Sequence, residues 1–205
     1  MATTRHIPRS GVAVAVLLVA MAGALGISIL GPTPAQQDPS GFSGLLRAVH
    51  YDYEPVGSPE ELRTLADIVV LGRIVDVTQG RTIHGIGSHA TLVVDVEEVL
   101  AGNPALVVDD LVYVEFVESA RATLADFRSR LPEGRLVLFL DDRTGIESSG
   151  PAGRPAETPV FAPFVQGVVL EAGQGYIGGS EDIAPMGPDW TRARTFDEFV
   201  ARLRS

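Results

Sequence analysis

Apolar residues recur along this chain with two periods, and each change of period marks a new element. The most apolar patterned stretch is "LADIVVLGRIVDV", Leu65 to Val77, broken only by Gly72, Arg73, Asp67 and Asp76. Four further segments read as strands because their apolar positions alternate or run unbroken over a few residues. In "ATLVVDVEEV", Leu92, Val94 and Val96 share the inner face, with Asp95 and Glu97 outward. In "VYVEFVE", Val112, Val114 and Phe116 point inward, with Tyr113 and Glu115 outward. "RLVLFLDD" is continuously apolar from Leu136 to Leu140, as a central strand covered on both faces would be. "FVQGVVLEA", Phe164 to Ala172, carries Gly167 where a bulge or bend is expected. Gly72 would let a long first strand kink and serve both sides of a small closed sheet.

Three segments have helical spacing. "SPEELRTLA" offers Ser58 as N-cap, Pro59 at the first helical position and Glu61 to complete a capping box. That predicts a helix from Pro59 to about Ala66 with Leu62, Leu65 and Ala66 on one face. "SARATLADFRSRL" sets Leu124, Phe127 and Leu131 on one face. "TFDEFVARLRS" pairs Thr195 with Glu198 as a second capping box, and buries Phe196, Phe199, Val200 and Leu203. The order is helix, three strands, helix, two strands, helix. It predicts a mainly β fold over residues 58–205: a five-stranded OB-type barrel with peripheral helices, whose usual connecting helix falls after the third strand. A β-sandwich is the alternative arrangement.

The chain opens differently. Arg5, His6 and Arg9 precede "GVAVAVLLVAMAGALGISIL", Gly11 to Leu30, which carries no charge. Its 20 residues exceed the usual core of a signal peptide, about 7–15, and reach the length of a membrane span, about 20, so it lies at the boundary of the two. Residues 1–35 are therefore expected to be a signal peptide or a membrane anchor, with "TPA" at Thr33 to Ala35 offering small residues for cleavage. Basic residues stay on the cytoplasmic side. The chain is thus expected at the extracytoplasmic face of the cell membrane, single-pass with its N-terminus inside, or secreted if cut near Ala35. Residues 36–57, with Pro39, Pro55 and several Gly and Ser, read as a linker. Within it "FSGLLRAVHYDYEPV" is more apolar and suited to pack onto the domain.

Composition narrows the chemistry. All sixteen basic residues are Arg, and the formal net charge is −10. Beyond Ala35, fourteen Arg face twenty-six acidic residues. That excess disfavours nucleic acid as a partner. The absence of Cys excludes disulfides, thiol catalysis and cysteine-held zinc together.

Three stretches, "ADIVVLGRIVDV", "VVDVEEVLAG" and "LPEGRLVLFL", resemble a group of uncharacterised exported bacterial proteins. These share an A-D-x-V-V-x-G-x-V strand, a V-x-x-V-L-x-G strand and a G-x-x-x-L-F-L strand. The group is similar in fold to the netrin-like domains of tissue inhibitors of metalloproteinases, and the resemblance spans about Ser58 to Leu140. It implies the barrel. It does not imply protease inhibition, because the inhibitors use an N-terminal cysteine and disulfides that this chain lacks.

Candidate chemistry is sparse. "GQGYIG", Gly173 to Gly178, fits G-x-G-x-x-G, with Asp197 downstream, but Pro185 and Pro188 forbid the long helix a dinucleotide needs at its pyrophosphate. His84 and His89, in a glycine-rich loop with His50 upstream, could join a carboxylate around a metal, although the spacing imposes no geometry. Ser88 beside His89 is only a sequence neighbour. Asp109–Asp110 and Asp141–Asp142 end apolar runs; paired carboxylates can hydrolyse glycosides, but this chain has one Trp and 6% aromatics to line a cleft. Trp190, near Arg192 and Arg194, is either an interface patch or a staple for the last helix, and the staple is favoured. No catalytic, cofactor-binding or metal residue is assigned. The expected function is a non-catalytic binding or interaction domain whose partner is an envelope or extracellular protein, with the membrane contacted through an uncleaved N-terminal helix. The alternative is an envelope hydrolase using carboxylates or a His-bound metal.

Overall fold

Two sixteen-residue strands, β1 (Ile68–Ile83) and β2 (Gly87–Gly102), form a long antiparallel hairpin that organises the sheet. The structure is a computed structural model and describes residues 38–150 and 153–205. The expected signal or anchor segment, 1–35, lies outside the described residues. No helix among the described residues is long and apolar enough to cross a membrane.

β1 serves two neighbours, as Gly72 suggested. It pairs with β2 along its length, and from Ile68 to Gly72 it also pairs with β4 (Leu136–Asp142). A Cβ at Gly72 would lie 2.2 Å from the Asp95 carbonyl oxygen, so only glycine allows this approach. β2 pairs with β3 (Leu111–Val117) without a break in register. β4 pairs with β6 (Phe161–Ala172), and β6 closes on β3 in parallel at Val114 opposite Phe161. The result is a closed ring of five strands, β1-β2-β3-β6-β4 and back to β1. Gly167 sits in the expected bulge: Leu138 faces Val168 while Leu140 faces Pro163.

Two short strands were not expected. β5 (Ser148–Ser149) pairs with Thr82 and Ile83 at the hairpin tip. β7 (Gly175–Gly178) folds back on β6 across Gly173. That hairpin is what "GQGYIG" forms, so no helix opens there to receive a pyrophosphate.

Hydrophobic burial divides by face. Val70, Leu92, Val94, Val114, Phe116, Leu138 and Val168 fill the inside of the ring, with Val96 partly buried against them. One helix, α3 (Leu124–Ser129), caps this interior with Phe127 under a Thr123–Asp126 capping box. A second, α1 (Pro39–Leu46), adds Phe42, Leu45 and Leu46, its Phe42 ring meeting Phe127 edge-on at 6.0 Å. Part of the expected 36–57 linker is therefore a packed element, because its apolar residues recur at helical spacing behind an Asp38 cap.

The outer face of β1, β4 and β6 carries a second core. Val69, Val137, Phe139 and Val169 meet α2 (Pro59–Leu65) and α4 (Phe196–Leu203) there. Trp190 is fully buried between Phe139 and Phe199, and its indole N–H donates to Val56 O at 2.9 Å. It is the staple and not an interface patch.

Outward positions on β3 depart from the expected alternation. Tyr113 is buried against Val93 and Val160, and Glu115 is buried as well. The connection between β4 and β6 covers this outer face, so alternation could not show which side met water. Leu65, assigned to the buried face of α2, is instead 57% exposed, while Leu62 takes the core position.

Candidate binding cleft

Beyond Val114 and Phe161, β3 and β6 part company, and a cleft of about 490 Å³ opens between them. Its walls are Glu115–Val117 on one side and Ala162–Gln166 on the other. The hairpin tip contributes Ile83 and Ile86, α2 contributes Leu62 and Leu65, and the extended segment of Tyr51, Tyr53 and Val56 closes one end. Most of the lining is apolar. Leu65 and Ile86 stand at its edge, each 57% exposed, and are two of the four large apolar side chains found exposed among the described residues. Exposed apolar side chains gathered around a concavity are a feature common in ligand grooves and interaction sites.

Polar groups frame the cleft and are held firmly. Val56 is clamped by the Gln166 amide, accepting through its O (3.3 Å) and donating through its N–H (2.6 Å). Glu115 forms a bidentate pair with Arg81 at 2.8 and 2.9 Å, their side chains 2% and 5% exposed. The same guanidinium donates to Ile146 O and Arg143 O, fixing the loop that supplies both residues to the cleft. Burial pushes the Tyr51 phenol up from its ordinary value; burial, then the charge of Glu181, does the same for Tyr53. Both hydroxyls therefore stay protonated and can donate or accept hydrogen bonds.

The candidate residues do not converge on one reaction centre. His84 is exposed in the hairpin turn, and His50 is exposed upstream of α2. His89 is not in a loop; it is buried on β2, its Nδ1 3.2 Å from Arg81 O. A carbonyl only accepts, so the proton is on Nδ1. No group of three metal-ligating side chains occurs among the described residues. Asp109 and Asp110 form a tight turn with φ of 54° and 60°, between Val108 and Leu111. Asp141 pairs with Arg143 at 2.6 Å, and Asp142 accepts from Thr144. Asp141 and Asp142 thus have local side-chain partners, and the Asp109–Asp110 pair serves a turn.

The cleft lining was missed in the sequence, though two signals for it were present. Ile86 is a large apolar residue in a glycine-rich turn, and Pro163 interrupts the start of a strand. No protein-family model and no curated protein matches the chain.

Proposed function

We infer that this protein is a non-catalytic binding domain, exposed at the outer face of the cell membrane or secreted, with the cleft between β3 and β6 as its binding site. The observation that carries this reading is the gathering of exposed Leu65 and Ile86 around an otherwise apolar concavity. The ring is read as an OB-type barrel of the netrin-like kind. Its order, with the third and last ring strands parallel and a helix between β3 and β4, supports that reading. The outside of β2 and β3, on which such barrels often bind, is met here by Val160 packed on Val93 and Tyr113 and by the Arg143–Ile146 loop held by Arg81 beside Glu115. This moves the site to the neighbouring cleft. Negative charge favours a neutral or basic partner in the envelope and disfavours nucleic acid.

Two measurements test this. The neutral dye N-phenyl-1-naphthylamine should brighten on the folded full-length protein and lose most of that signal with Ile86→Asp. An unchanged signal would show that the cleft is not the site. A reporter joined after Ser205 should be active only outside the cytoplasm, and N-terminal sequencing would show whether the chain is cut near Ala35.

A further inference from the structure

We propose that the cleft takes an extended peptide, added as a strand to the free edge of β3. The proposal rests on the cleft being the binding site and names the class of its occupant.

The argument is one of backbone accounting. In the β2–β3 ladder, Glu118 N–H donates to Ser88 O and Val96 N–H donates to Asp110 O. The register between these bonds is unbroken. Antiparallel bonding alternates, so Val114 and Phe116 direct their peptide groups to β2, while Glu115 and Val117 direct theirs away from it. β6 pairs with this second edge only at Phe161, opposite Val114. Two residues later, where the ladder would next take a donor from β6, stands Pro163, which has no N–H. Past Pro163 the bulge around Gly167 shifts β6 against β4, and no further bridge to β3 is found among the described residues. The Glu115 carbonyl thus loses its β6 donor, and the peptide groups of Val117 point to the side where β6 stops pairing in register.

A groove floored by a strand edge that β6 stops pairing, and walled by Phe116, Phe164 and Ile86, suits an extended backbone better than a hydrocarbon alone. A hydrocarbon would leave those peptide groups desolvated. A peptide satisfies them and places alternate side chains on the apolar wall. With fourteen Arg against twenty-six acidic residues beyond Ala35, the favoured peptide is neutral or basic.

The test pans a random-peptide display library on the full-length protein, and the best binder is then synthesised. Alternating β-branched or aromatic residues without central proline are expected. N-methylation of alternate residues in one frame should weaken binding about tenfold per site, and the other frame should tolerate it. Val117→Pro removes a donor that β2 does not use, so the variant should fold and lose the peptide. Should that variant not fold, the methylated peptides and slowed exchange of the Val117 amide on the wild type decide the matter. Selected peptides indifferent to N-methylation would overturn the proposal. So would self-association abolished by Val117→Pro, which would make a second copy the occupant. Palmitate captured by the wild type and not by Ile86→Asp, with no peptide selected, would refute the peptide and leave the cleft as a binding site. Binding of neither would refute both.

Discussion

Replacing Glu115 by Gln isolates the buried ion pair that sits beneath the cleft. The change keeps shape and removes charge, leaving the Arg81 guanidinium buried opposite a neutral amide. Breaking such a pair from one side costs about 3–5 kcal/mol. The lower end applies here, because Arg81 keeps the carbonyls of Arg143 and Ile146 as acceptors. A loss of about 3 kcal/mol is therefore expected, a large share of a typical stability of about 5–15 kcal/mol. Arg81→Met should cost at least as much, since it strands the carboxylate and frees the 143–146 loop together. The double variant Arg81→Met, Glu115→Leu removes both charges and should lose only about 2 kcal/mol, the worth of the two loop hydrogen bonds. With Glu115→Leu added as the matching single variant the cycle closes, and urea unfolding followed by fluorescence of Trp190, the single tryptophan, reads it with Glu115→Gln alongside. Additive losses in the double variant, or a Glu115→Gln cost under about 0.5 kcal/mol, would mean that the pair does not bear on the fold as argued.

Other consequences follow from residues already placed. Trp190→Ala should cost about 3–5 kcal/mol by circular dichroism melting, whereas Trp190→Phe should lose only about 1–2, mostly the bond to Val56. Glu171 accepts from Arg135 at 2.7 Å, and this hydrogen bond holds its carboxyl below the ordinary value of 4.5. A lowered folded value means that the stabilisation is present above the unfolded value and is lost as pH falls through the folded one. Glu171→Gln should therefore flatten the stability curve below about pH 4.5, and superimposable acid titrations would contradict this. His84→Ala should leave thermal stability unchanged while His89→Ala lowers it by about 1–2 kcal/mol; equal behaviour would deny that β2 buries His89.

Strand identity was legible because the ring strands bury one face completely. Val114, Leu138 and Val168 could be placed from alternation and apolar runs alone. The α4 face and the Thr195 cap were equally plain, since both are local. What could not be read was whatever depends on a distant segment lying over a strand. Glu115 looks like a solvent-facing residue until Arg81 is seen to meet it and the Arg143–Ile146 loop to lie on the same guanidinium. Leu65 obeys helical spacing, but its surroundings depend on a hairpin tip almost twenty residues away in sequence. The cleft is an absence of pairing between β3 and β6. Periodicity reports which way a side chain points, and it carries no information on whether a strand has a second neighbour.

The closed ring also sets a timetable for folding. β1 and β2 meet through a local turn and can pair as soon as the chain reaches Gly102. β1's other partner, β4, lies as far away as Leu140 opposite Ile68, and β6 is the last ring strand to be made. Until Phe161–Ala172 docks, both β3 and β4 present an open edge with no strand to cover it. Distant pairings of this kind are slow to form. The interval between finishing the hairpin and closing the ring is thus when the chain is most prone to pair with a copy of itself. Substitutions that slow β6 docking should be felt first as lower yield of soluble protein, before any change in the finished fold.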